Sequence, residues 1–261
     1  MKVKKIYLAI LLISAVYFLM PKEVVAITGE EIMRKVRDIE TPKTSIVKTK
    51  MILVNKNGEK RLREILSYFK DEGKDQRKAM IRFIQPADVK GMGFLMLEHP
   101  DRDNDQFIYM PELKKVRRIA SGSEQRGSFF GSDLTYEDME RKKIEDYTYN
   151  LLREEEVDSF PTYVVESIPN NPEDTSYSKS IQWIRKDNFI LIKAELYNKR
   201  AELWKTISVN NVEKTDGYWM AKITKVTNVL TNHQTIVELS GIKNNKPIPD
   251  EYFTERYLAK E

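Results

Sequence analysis

Cysteine is absent from all 261 residues. That excludes disulfides, thiolate metal sites, a cysteine nucleophile and a lipidated N-terminal cysteine, so a fold of this size rests on core burial. Histidine is nearly absent. His99 and His233 stand far apart, neither with a second histidine at metal spacing, which argues against zinc. No internal repeat of fixed period and no low-complexity tract interrupts the chain. The longest apolar run, "IYLAILLISAVYFLM", has 15 residues, whereas a helix crossing the hydrocarbon core needs about 20.

That run is framed by "MKVKK" and "PKEVVA", whose Val24 and Ala26 suit a signal-peptidase site. Export is therefore expected, with residues 1–26 as a signal peptide cleaved after Ala26. An uncleaved anchor is the competing reading. The segment carries Lys2, Lys4, Lys5 and Lys22 against Glu23 alone, so its removal lowers the net charge from +4 to +1. A nearly neutral mature chain lacks the basic field of a nucleic-acid binder, and nucleic acid drops out as a partner.

The mature N-terminus, "ITGEEIMRKVRDIE", reads as a short helix. Thr28 and Glu31 form a T-x-x-E capping box, and Ile32, Val36 and Ile39 share a face. From Thr44 the period changes to segments of 8–12 residues rich in β-branched and aromatic side chains, separated by "NKNGE", "DEGKD", "TDGY" and "KNNKP". About a dozen antiparallel strands and few helices are expected, in one domain spanning 27–261. Strict alternation in "NFILIKAEL" would send Phe189 and Leu191 one way and Ile190, Ile192, Ala194 and Leu196 the other. Two apolar faces require packing on both sides of the sheet, by a second sheet as in a β-sandwich, by helices, or by an apolar ligand held in a curved sheet.

Catalytic patterns are poorly matched. The serines of "ASGSEQRGSFFGSD" lie in no G-x-S-x-G context and have little base to activate them. "DRDNDQFIYMPE" places Asp101, Asp103 and Asp105 like a calcium loop, but Gln106 stands where glycine is needed and Pro111 precedes Glu112. It reads as an acidic turn. "KKVRR" at 114–118 reads as the wet face of a strand. No enzyme activity, cofactor or metal is expected. The anomaly is "RGSFFGSD", where Arg126 precedes two phenylalanines, Phe129 and Phe130, inside a flexible polar loop. Just after it, Thr135 and Asp138 suit the capping of a short helical turn.

Taken in series, "FIQPADVKGMGFLMLEHPDRDNDQFIYMPELKKVRRIASGSEQRGSFFGSDLTYEDM", "YTYNLL", "YSKSIQWIRKDNFILIKAELYNKRAELWKT", "DGYWMAKITKVTN" and "FTERYL" resemble the outer-membrane lipoprotein-sorting protein family, the LolA-like carriers. The resemblance implies a strongly curved antiparallel sheet, an incomplete barrel, with a few short helices over its open side and an apolar cavity between. It implies a periplasmic carrier or chaperone that shields the acyl chains of lipoproteins or lipids, in transient contact with a membrane transporter or acceptor, and a monomer is favoured. Phe94, Met96, Ile108, Met110, Trp183 and Trp219 are the expected cavity wall, and Arg126, Phe129 and Phe130 a mobile loop at its rim. The alternative is an envelope sensor of the same fold that detects lipid or lipoprotein and signals to a partner protein.

Overall fold

The computed structural model describes residues 26–73 and 75–260. The expected signal peptide lies outside them except for Ala26. Thirteen antiparallel strands form one sheet: β1 (Thr44–Val54), β2 (Lys60–Asp71), β3 (Arg77–Gln85), β4 (Gly93–Leu97), β5 (Asp105–Met110), β6 (Lys115–Arg118), β7 (Tyr147–Val157), β8 (Phe160–Pro169), β9 (Tyr177–Arg185), β10 (Leu191–Asn198), β11 (Leu203–Thr215), β12 (Tyr218–Asn228) and β13 (His233–Asn244). Their spatial order is β6-β5-β4-β3-β2-β1-β13-β12-β11-β10-β9-β8-β7. The first and last strands meet in the middle. Consecutive strands β6 and β7 are the two free edges, so the connection between them, residues 119–146, must travel from one edge to the other.

That connection shows the curvature. From one side of the sheet it meets β5, where Gln106 donates to the Tyr136 carbonyl at 3.1 Å. It meets β13, where Thr235 hydrogen-bonds Asp133, and the segment entering β9, where the Ser176 amide donates to Glu137. A single short connection reaches the centre and both wings only if the sheet bends around it. The molecule is thus an open, strongly curved antiparallel sheet rather than a two-sheet sandwich.

Helix α1 (Gly29–Arg37) lies on the concave side of β7 and β8, with the expected reciprocal capping box between Thr28 and Glu31. Ile32, fully buried, packs with Val165 and Ile184, and Met33 and Val36 extend that contact. Its start sits so close to β7 that a Cβ on Gly29 would fall 2.9 Å from backbone atoms of Tyr149 and Leu151. The convex side has its own cover. The C-terminal segment, with Ile248, Phe253 and, on α2 (Glu255–Leu258), Leu258, packs on Met80, Leu95 and Tyr109. Gly93 makes room for this packing, because a Cβ there would approach Leu258 Cδ1 to 2.6 Å and push the leucine side chain aside.

β-Bulges correct the simple alternation. The register of β10 against β9 shifts between Leu191 and Lys193. Leu191, paired with Ile184, therefore turns to the concave face with Ala194 and Leu196, while Ile192 packs outward with Trp183. One inserted residue reverses the face of everything beyond it.

Candidate functional site

The concave face has a filled half and a hollow half. In the filled half, Phe83, Phe94, Met96 and Ile108 of β3–β5 form one cluster with Met51, Leu53 and Ile65 of β1–β2. The β6–β7 connection drives Phe129 and Phe130 into it. Phe129 is 1% exposed and meets the Phe94 ring edge-on at 5.3 Å, and Phe130 meets Phe83 at 4.8 Å. The tip folds back on itself as a short bridge between Ser128 and Thr135, with the Phe129 amide bonded to the Leu134 carbonyl at 2.7 Å. Phe130 adopts φ 47°, a left-handed conformation unusual for a bulky residue, followed by Gly131 at 76°. Arg63 of β2 donates to the Phe130 carbonyl. The sequence suggested a mobile rim; in the structure the pair is an aromatic plug packed inside the bowl. Thr135 and Asp138 do cap a short turn, each side chain bonding the other's amide.

The hollow half is a cavity of about 280 Å³ under β7–β11. Met33 of α1, Leu134 of the connection, and Leu191, Ala194, Leu196 and Ile207 of the sheet give it an apolar wall. At one end it meets a polar cleft of about 370 Å³ between the sheet edges, sharing Glu140, Lys142, Tyr147 and Pro169 with it. An apolar chamber opening into a polar vestibule is suited to an amphiphile.

Charge is concentrated at that junction. Burial raises the Glu140 carboxyl above the usual range, although Asn104, Lys142 and Gln106 pull the other way. For Lys142 burial acts to lower the ammonium, but Tyr147, Glu137, Asp138 and Glu140 outweigh it and raise it. Lys142 is exposed to solvent through the cleft, and the raised ammonium keeps its positive charge there. Deeper in, Lys205 Nζ donates to the Tyr177 hydroxyl at 2.9 Å, and that hydroxyl donates to Asp138 at 2.9 Å. Burial lowers the Lys205 ammonium against the attraction of Asp138, and burial together with Asp138 pushes the Tyr177 phenol well up. This network fixes the connection to the sheet rather than presenting a nucleophile.

Of the residues singled out in the sequence, Phe94, Met96, Ile108, Met110, Phe129 and Phe130 are brought together in the filled half. The two tryptophans are not among them. Trp183 lies on the face opposite Gln182, packed with Val164 and Ile192, beneath Lys193 and bonded to Glu155. Trp219 shares the outer face of β12 with Ala221 and Ile223, beside Lys214. Both are separated from the cavity by the sheet itself. Arg126 donates to the Glu173 carbonyl at the rim. The cavity-lining Met33, Leu134 and Ile207 escaped sequence reasoning, whereas the apolar pattern of "NFILIKAELYN" marked the strand that carries Leu191, Ala194 and Leu196.

The crystal structure of a domain from Vibrio parahaemolyticus named for outer membrane lipoprotein sorting is 31% identical, covering 89% of this chain and 98% of its own, with a TM-score of 0.83. The chain belongs to the outer membrane lipoprotein-sorting protein family. Another crystal structure, of a DUF1329 family protein from Desulfovibrio piger, is 30% identical with a TM-score of 0.83, covering 88% of this chain and 97% of that one. A LolA superfamily protein from Nitrosomonas europaea shares the fold at 23% identity and a TM-score of 0.69, covering 89% of this chain and 100% of its own. A family model described as "Uncharacterized protein" matches residues 75–260. No curated protein matches. For this family member the fold is that of lipoprotein-sorting carriers, and no helix among the described residues is long and apolar enough to cross a membrane.

Proposed function

We propose that the protein, exported and cleaved after Ala26, is a periplasmic carrier made of one domain, 27–261, that shelters acyl chains of lipids or lipoproteins between membranes or on the way to and from an exporter. The observation that carries this reading is the apolar chamber under β7–β11, open to a polar cleft. At about 0.8 kcal/mol per buried methylene, a chain placing on the order of eight methylenes there gains roughly 6 kcal/mol, enough for reversible capture. The head group then rests in the cleft beside Glu140 and Lys142. Release needs only a competing apolar site, and the charges of the network serve orientation rather than bond chemistry.

A longer chain needs more room than the chamber offers. The filled half supplies it when Phe129 and Phe130 withdraw, the glycines that flank the pair, Gly127 and Gly131, acting as hinges. Phe94, Met96, Ile108 and Met110 would then become wall, as the sequence suggests. Withdrawal of both rings sacrifices about 6–10 kcal/mol of packing, which roughly eight to twelve methylenes offset.

Binding of a fluorescent fatty acid to the purified protein, with lipid extraction of protein recovered from its own host, tests the reading. Saturable binding that Ala194→Phe abolishes without lowering thermal stability supports it. Absence of both bound lipid and probe binding overturns it.

A further inference from the structure

A second pocket, of about 410 Å³, lies at the rim where the β10–β11 turn faces the connection and the segment entering β9. It shares no residue with the apolar chamber. Three of its lining residues are cations drawn from separate parts of the chain, Arg126 from the connection and Lys199 and Arg200 from the turn, and none is acidic. Arg200 is balanced by Glu202 at 2.8 Å. The other two are not balanced. Arg126 donates to the Glu173 carbonyl and Lys199 to the Pro172 carbonyl, neutral acceptors on one turn, and among the described residues neither has a carboxylate within ion-pair distance.

Two polar groups at the same place lack partners. Ser176 is 8% exposed and its hydroxyl has no hydrogen-bond partner among the described residues, and the same holds for the buried Nε of Arg126. A buried donor left unpaired costs about 1–3 kcal/mol, and two together in one cationic pocket call for a ligand that accepts. The floor beside them is apolar. Trp204 is held by Tyr177 at 5.6 Å and by Lys205 over its ring, and Leu230 is 53% exposed.

We propose that this rim pocket binds a phosphate group borne on an apolar body. The phosphate oxygens accept from Lys199 Nζ and, after a small side-chain shift that uncovers them, from Arg126 Nε and Ser176 Oγ, and the apolar part lies on Trp204 and Leu230. An arginine guanidinium with free donors beside a lysine is the pattern that suits phosphate, as a fork and a point charge. The proposal stands independently of the apolar chamber.

Calorimetry with octyl phosphate and octyl glucoside, equal in tail and different in head, tests it, with inorganic phosphate as competitor. The expected result is a preference of about tenfold or more for octyl phosphate, weakening with salt. Arg126→Gln with Lys199→Gln removes the preference and Lys199→Arg preserves it. Leu230→Glu, which leaves both tethers intact, removes it by repulsion, so the test does not depend on a variant that disturbs the turn. Equal affinity for the two octyl probes, or an unchanged preference in both the double variant and Leu230→Glu, overturns the proposal. Ala194→Phe leaves the preference intact even if it abolishes fatty-acid binding, which separates the two sites. Sedimentation with phosphatidylcholine vesicles, with and without one-third phosphatidylglycerol, identifies the source. Phosphatidylglycerol-dependent sedimentation lost in Leu230→Glu supports a membrane phospholipid. Displacement of octyl phosphate by inorganic phosphate without vesicle binding supports a soluble phosphate ester.

Discussion

Truncation of the plug, Phe129→Ala, separates a packed connection from a loose one. Phe129 is 1% exposed and meets three aromatic rings, Phe94 at 5.3 Å, Phe130 at 5.0 Å and Tyr136 at 5.6 Å. A buried Phe→Ala change costs about 3–5 kcal/mol, and edge-on aromatic pairs add about 0.5–1.5 kcal/mol each beyond area, so the upper part of that range, about 4–5 kcal/mol, is expected. With an m-value of about 2–3 kcal/mol/M, the urea midpoint falls by roughly 1.3–2.5 M. Urea titration followed by tryptophan fluorescence reads this directly. A loss under about 1 kcal/mol refutes the packing argument and shows a connection that leaves the bowl in solution. Phe130 provides an internal control. At φ 47° a glycine is favoured over alanine by about 1–2 kcal/mol, so Phe130→Gly is less damaging than Phe130→Ala although it removes more side chain. If acyl chains displace the plug, Phe130→Ala raises fatty-acid affinity while lowering stability; a fall in affinity instead makes the ring part of the binding wall.

Three further substitutions probe the buried charges. Glu140 has its carboxyl raised by burial, so its contribution to stability is full below about pH 4.5, the ordinary carboxylate value, and is lost as pH rises through the raised value. Glu140→Gln, which keeps an acceptor for Gln106 and Gln125, is therefore more stable than the parent at neutral pH and loses that advantage below pH 4.5; thermal melts at pH 4 and 7.5 check both signs. Glu98, 6% exposed, is held by Arg77 at 3.1 Å and by the Arg141 amide at 3.0 Å. Arg77→Ala strands that carboxylate at a cost of about 3 kcal/mol, the low end for a buried pair because Arg77 is partly open, and adding Glu98→Ala restores part of the loss in urea denaturation.

Local rules made much of the fold legible. The T-x-x-E box placed α1, β-branched runs between turn signals placed the strands, and even the short pieces "GFLML", "QFIYM" and "KVRR" are strands. The site was harder. Trp183 and Trp219 have the bulk and apolarity of cavity residues, but a sheet sends neighbouring side chains to opposite faces, and composition does not say which face is concave. In β10 the bulge after Leu191 moved Leu191 itself to the cavity wall against strict alternation. The Phe pair was visible as an anomaly because large apolar rings are unexpected in a polar loop, yet its destination lies on β3 and β4, far away in sequence.

The class of elements, the cap of the first helix and the absence of cysteine are legible in the sequence alone, because each is set within a few residues or by composition. Only the tertiary structure decided that β1 and β13 lie together at the centre, leaving β6 and β7 as opposite edges. That pairing forces residues 119–146 across the bowl, puts the plug in one half and leaves the chamber in the other. It also gathers Arg126, Ser176 and Lys199 at one rim. Strand order and register arise from long-range pairing, whose free energy no local window of sequence contains.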